Sequence, residues 1–392
     1  MRRIYPYFTL ILVIFLSTLL VWTPFITKSS NWLGLKIENS SFDYIYRHYD
    51  GPLYIIPAKT FYDPAKFLSK DGANIIGISP GYFAAHLPFY PLLIRGVREL
   101  IQLTGLTSLP AGRQVNGLEY LKSMVIVNLL ATVGLACLFY FILKKFKITK
   151  NPWLLTVIMF FLPRFLVIRS VGAPESLFML LTLGSLYFFE KEKYWLAGLL
   201  GGLSVATKSP GILLFCAYCL TIVERIIRTK KINWRWLGII LIPFGLLTVF
   251  FVYWLKLGDF FAYFHSGDNV HLIYPFSVFN FQKPWIGTAW LEDVIFYFVL
   301  YGLTVISLKD FKYRSFFYFS LIFYIATLFV QHRDIARYSL VLWPMALIAF
   351  EKFFISKKFI IMFIIILSAV YFYAWNFLSY NVMPIANWSP YL

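Results

Sequence analysis

The sequence predicts an all-α polytopic membrane protein, with about eleven transmembrane helices and a large first extracytoplasmic loop. Three observations carry this. Hydrophobic residues make up 60% of the 392 residues and charged ones 14%; soluble domains run near 45–50% and about 25%. The apolar residues fall in long runs, close to the roughly 20 residues that a spanning helix needs. Aromatic residues reach 21%, and membrane proteins gather Trp and Tyr at lipid–water boundaries. The same composition excludes disorder, which needs low hydrophobicity.

Each element follows from its own stretch. Residues 5–26, behind Arg2 and Arg3, are long for the apolar part of a signal peptide, and no small-residue cleavage site follows. They read as a retained first helix. Residues 27–120 form the first extracytoplasmic loop. Inside it Pro91 to Thr104 reads as an amphipathic helix, with Leu93, Val97, Leu100 and Ile101 on one face and Gly105 as the stop. Such a helix suits the membrane interface. Further candidate spans cover 121–143, 152–168, 174–189, 194–207, 210–227 and 236–256. A second outer loop takes 257–285, and the last spans cover 286–306, 315–331, 338–354 and 359–378. The run 194–207 is short, so 194–227 also fits one span plus a re-entrant piece. The whole chain, 1–392, reads as one integral membrane domain.

Charge orders these spans. The net charge of +18 sits in short clusters between apolar runs, which speaks against nucleic acid as a partner. With the N-terminus in the cytoplasm, 19 basic residues fall in inner segments, among them Lys144, Lys191, Arg225, Lys309 and Lys357. The short loops then obey the positive-inside rule. All five histidines and 13 of the 18 acidic residues fall outside. That places the chemistry on the outer face. The three cysteines lie within apolar runs, which argues against a disulfide framework or a zinc site.

Five outer clusters are candidates for that chemistry. His48-Tyr49-Asp50-Gly51-Pro52 sets Asp50 at a turn, where a carboxylate can act as a general base or simply make an Asx-turn or cap. Tyr82 to Pro91 holds His86 and Tyr90 among aromatics and prolines, as a substrate groove or a rigid link. Arg164, Arg169 and Glu175 lie at the outer ends of the third and fourth spans, where ionisable groups are functional or paired. Lys208, in Thr207-Lys208-Ser209-Pro210-Gly211, is the one charge between Lys193 and Glu224. It can hold a phosphate or snorkel to headgroups. Arg333, Asp334, Arg337 and Tyr338 share a short turn. Two arginines four apart suit phosphate, and an ion-pair cluster with Asp334 is the alternative. No P-loop, GxGxxG, HExxH or CxxC motif is present. No Asp-x-Asp pair marks a metal site in the first loop, so neither metal nor cofactor is expected.

These clusters resemble the GT-C superfamily of membrane glycosyltransferases. Within it the chain is most similar to the prokaryotic relatives of the GPI mannosyltransferase 2 family. Tyr49-Asp50-Gly51, Leu87-Pro88-Phe89-Tyr90-Pro91-Leu92, Pro174-Glu175-Ser176-Leu177-Phe178, Lys208-Ser209-Pro210-Gly211 and Arg337-Tyr338 with Pro344 carry the resemblance. It implies a GT-C fold and a polyprenyl-phosphate-linked sugar donor, with mannose as the sugar. It also implies Asp50 as the catalytic base. The family usually has Trp where this chain has Tyr49, and often Arg where it has Lys208.

On this reading Asp50 takes a proton from an acceptor hydroxyl in an inverting transfer. Arg337, Arg333 and Lys208 hold the donor phosphate, while Tyr49, His86, Tyr90, Glu175, Arg169 and Tyr338 line the substrate site. The acceptor is a lipid, glycan or protein. The protein is expected in a prokaryotic plasma membrane, with its active site outside. The rival readings are a transporter or lipid flippase, and a glycan ligase or polymerase that uses diphosphate-linked donors.

Overall fold

Long apolar runs bury their backbone polar groups only as helices, and the chain is built almost wholly from helices. The computed structural model describes residues 4–37, 41–48, 50–68, 74–104, 116–268, 272–279, 288–332, 334–383, 385 and 387–391. The main helices are α1 (Tyr5–Ile26), α2 (Phe89–Leu103), α3 (Asn116–Lys145), α4 (Pro152–Met159) and α5 (Pro163–Ile168). They continue with α6 (Glu175–Glu190), α7 (Tyr194–Thr207), α8 (Leu213–Thr229), α9 (Leu241–Leu257) and α10 (Thr288–Ser307). The last are α11 (Arg314–Thr327), α12 (Ile335–Tyr338), α13 (Trp343–Ala349) and α14 (Lys357–Tyr380). Among the described residues, the one small sheet pairs Asn31–Trp32 with Leu35–Lys36.

Among the described residues, five stretches are long and apolar enough to cross a membrane: 5–26, 119–145, 209–229, 234–257 and 357–380. The protein is therefore an all-α, membrane-embedded chain. The eleven uninterrupted spans expected from the sequence do not appear as such. The expected span 152–168 is cut into α4 and α5, because Pro163 lacks the N–H to continue α4. Residues 338–354 divide into a 3-10 turn, α13 with Pro344 in its first turn, and Glu351–Phe354. Helices α7 and α11 have only 14 residues each.

Packing gives the bundle two ends. Tyr7 of α1 meets Tyr140 of α3 edge to face at 5.0 Å, so these helices run antiparallel. Helices α6 and α7 are stitched by Ser185 Oγ donating to the Ala197 carbonyl at 2.7 Å and by Thr182 with Ser204 at 2.9 Å. At the α7–α9 contact Gly202 admits the opposing backbone; a Cβ there would stand 2.7 Å from the Leu241 carbonyl. At one end Glu190 accepts from Arg225 and from the Ser315 amide, Glu224 accepts from Arg314, and Phe146 stacks on Tyr313. At the other end lie the turns around residues 50, 86, 172, 208, 265 and 335.

The residues after α1 form a second small core over that end, around Leu53, Tyr62, Phe83 and Tyr253. Residues 381–383, 385 and 387–391 fold back onto it. Met383 N donates to the Arg47 carbonyl at 2.8 Å, Lys59 Nζ to the Pro390 carbonyl at 3.0 Å, and Tyr391 is buried. Helix α2 starts two residues before the expected Pro91, which a first turn tolerates. Leu93 and Val97 pack inward as expected, but Leu100 is 62% exposed.

Candidate functional site

A cavity of about 510 Å³ opens where the turns converge. One wall is polar and carries Asp50, Lys208, Arg337 and Tyr338. Its lining also includes the apolar Leu213 from α8, Leu246 and Phe250 from α9, and Phe323 from α11.

Asp50 lies between His48 and the 3-10 turn Gly51–Tyr54. Its side chain makes no cap hydrogen bond, which removes the simple capping role. Gly51 lets this turn press against residue 172, since a Cβ there would stand 2.6 Å from the Gly172 carbonyl oxygen. The carboxylate turns instead to Arg337, whose Nη1 donates to Asp50 Oδ2 at 2.6 Å. Arg337 Nε donates to Glu175 Oε1 at 2.6 Å, and Lys208 Nζ donates to the same oxygen at 2.8 Å. Four turns far apart in sequence thus build an alternating ladder, Asp50–Arg337–Glu175–Lys208. It is electroneutral, as a buried group of charges must nearly be.

Exposure separates the roles. The Asp50 side chain is 37% exposed, into the cavity, whereas Glu175 is 3% exposed and lies behind the wall. Glu175 therefore holds the two cations rather than facing a ligand. Burial alone would raise the Asp50 carboxyl. The Arg337 charge, with help from His86, outweighs burial and keeps Asp50 below the usual carboxylate range. Lys208 also stands 5.3 Å from the Tyr338 ring centroid.

The other expected residues scatter. His86 lines the cavity and is 4% exposed. Burial holds its imidazole down to about 4, so it is neutral at pH 7. Tyr90 is fully buried behind Tyr54, and its hydroxyl donates to the Met124 carbonyl at 3.0 Å. It supports the wall without reaching the cavity. Arg169 is corrected outright. Its Nε donates to the Phe160 carbonyl at 3.1 Å, Nη1 to Thr18 at 2.7 Å and Nη2 to Ser17 at 2.8 Å. It ties α5 to α1 and is no substrate ligand. Tyr49 and Arg333 lie outside the described residues.

Two acidic partners were not legible. Asp334 pairs with Arg164 of α5, and Arg164 also lies 4.1 Å over the Phe377 ring. The Asp334 carbonyl accepts from Arg337 N at 2.9 Å and from Tyr338 N at 3.1 Å, so this pair clamps α12 in place. Asp268, from the loop after α9, lines the cavity beside His86. Burial and the Asp50 charge push it up to about 6, against the hydrogen bond from Tyr82. No motif surrounds Asp268, and only the fold brings it here. Among the described residues, no three His, Cys, Asp or Glu side chains gather to hold a metal.

No protein-family model matches this chain, and no curated protein is significantly similar to it.

Proposed function

We propose that this protein is a membrane glycosyltransferase of the GT-C type. It moves a hexose, mannose by resemblance, from a polyprenyl-phosphate donor to an acceptor hydroxyl, with inversion. The observation that carries the reading is the pairing of Asp50 with Arg337 on a cavity wall that also bears Lys208, in a cavity that apolar side chains also line. A base, two phosphate-binding cations and room for a lipid chain share one space.

The residues divide the work. Asp50, ionised at neutral pH, accepts the acceptor proton as the acceptor oxygen bonds to the anomeric carbon. The bond from that carbon to the phosphate oxygen breaks, and polyprenyl phosphate leaves with the electron pair. Arg337 and Lys208 face the charge that grows on the leaving oxygen, in a site fixed before the reaction. Glu175 keeps both cations at the wall. A monophosphate needs less positive charge than a diphosphate, which favours the monophosphate donor over the ligase reading.

The same proposal includes eleven passes. The broken α4–α5 pair, the short α6, α7 and α11, and the divided segment before α14 each connect the two ends of the bundle. The cavity end is then extracytoplasmic, and the Lys-rich and Arg-rich end is cytoplasmic by the positive-inside rule.

Purified protein incubated with radiolabelled polyprenyl-phosphate-mannose and a lipid extract should yield new labelled, mannosylated product. No product from monophosphate donors, with product from diphosphate-linked ones, would move the reading to a ligase. Lipid flux in proteoliposomes without any transfer would move it to a flippase.

A further inference from the structure

The wall of the cavity that carries Asp268 has its own geometry. His86 Nε2 stands 3.9 Å from Asp268 Oδ2, beyond a direct hydrogen bond. An oxygen about 2.8 Å from each atom spans that gap well. His86 Nδ1 is buried and has no hydrogen-bond partner among the described residues. The Tyr82 hydroxyl is hydrogen-bonded to Asp268, and Tyr54 meets the His86 ring edge to face at 4.8 Å.

The bridging group must donate to a carboxylate and also bond an imidazole. A neutral imidazole offers one donor and one acceptor nitrogen. A hydroxyl satisfies both partners, because it donates once and accepts twice. Asp50 lines the same cavity as His86 and Asp268. A ligand anchored here therefore has its next polar group near the base.

We propose that Asp268 and His86, braced by Tyr82, anchor the acceptor, and that the acceptor is a ring with adjacent hydroxyls, a sugar or a cyclitol. One hydroxyl bridges Asp268 and His86, and a neighbouring hydroxyl is presented to Asp50. This rests on the reading of Asp50 as the base. The sugar of the donor has the same hydroxyl chemistry, so the test separates the two sources.

The test uses full-length protein in a sugar-free detergent. Saturation-transfer NMR follows three probes: octyl α-mannoside, 1-octanol, and citronellyl-phosphoryl-mannose as a short donor. Asp268→Ala should weaken octyl α-mannoside binding by at least about tenfold, the scale of a lost hydrogen bond to a charged group. His86→Ala should act in the same direction. Octanol and the phosphoryl-mannose probe should bind both variants as they bind the parent. Asp268→Asn with an unchanged melting profile serves as the folded control and should also weaken the mannoside. Equal mannoside binding by parent and variants overturns the proposal. So does a loss confined to the phosphoryl-mannose probe, which would give the subsite to the donor sugar. If mannoside binding depends on Asp268 but Asp50→Asn protein transfers fully, the subsite stands and the base assignment falls.

Discussion

At the scale of single residues, Arg337 is the hinge of the account. Its planar fork reaches Asp50 and Glu175 at 2.6 Å each, which a lysine point charge cannot reproduce. Arg337→Ala removes the charge that holds the Asp50 carboxyl low. The acid limb of the pH–rate profile should therefore move to higher pH, and kcat should fall by about 10²-fold. A profile with an unmoved acid limb would separate Arg337 from the base. The turn at Asp50 was legible in the sequence, because Gly51-Pro52 ends local regularity in an aromatic segment. Arg169 was misread for a physical reason. Its partners Ser17 and Thr18 lie some 150 positions away, and sequence proximity to Glu175 says nothing of that. Asp268 gave no signal at all, since only the folded loop carries it to His86.

At the scale of elements, hydrophobic runs gave the helices to within a few residues, because an apolar run has little choice but a helix in a membrane. They did not show where proline divides a run, as at Pro163 and Pro344. Nor did they show that Met383 and Pro390 return to Arg47 and Lys59, a matter of tertiary packing. The short helix α12 depends on the buried Arg164–Asp334 pair. Breaking such a pair from one side leaves an uncompensated buried charge and costs about 3–5 kcal/mol. Asp334→Ala should therefore lower the melting temperature and the transfer rate together. The double variant Arg164→Ala with Asp334→Ala should recover part of the stability, measured by thermal unfolding in detergent. Equal melting of single and double variants would remove the clamp from the account.

For the whole molecule, two buried histidines couple stability to pH. Burial holds His48 at about 3 and His86 at about 4, whereas an unfolded imidazole titrates near 6.5. Between those values the unfolded chain binds more protons, so stability falls as pH drops below about 6.5. Asp268, raised to about 6, acts in the opposite sense between about 3.9 and 6. Asp50, held low, loses its contribution only as pH falls through its depressed value. Two imidazoles outweigh one carboxyl, so melting temperature should decline from pH 7 to pH 5, and less steeply in His48→Gln. A flat profile would contradict the burial of these rings. The central claim is that this cavity transfers sugar with Asp50 as its base. The direct measurement is transfer from polyprenyl-phosphate-mannose by parent and Asp50→Asn protein in the same membranes. A loss of about 10²-fold to 10⁴-fold, with folding unchanged, is the result predicted. Full transfer by Asp50→Asn would contradict it.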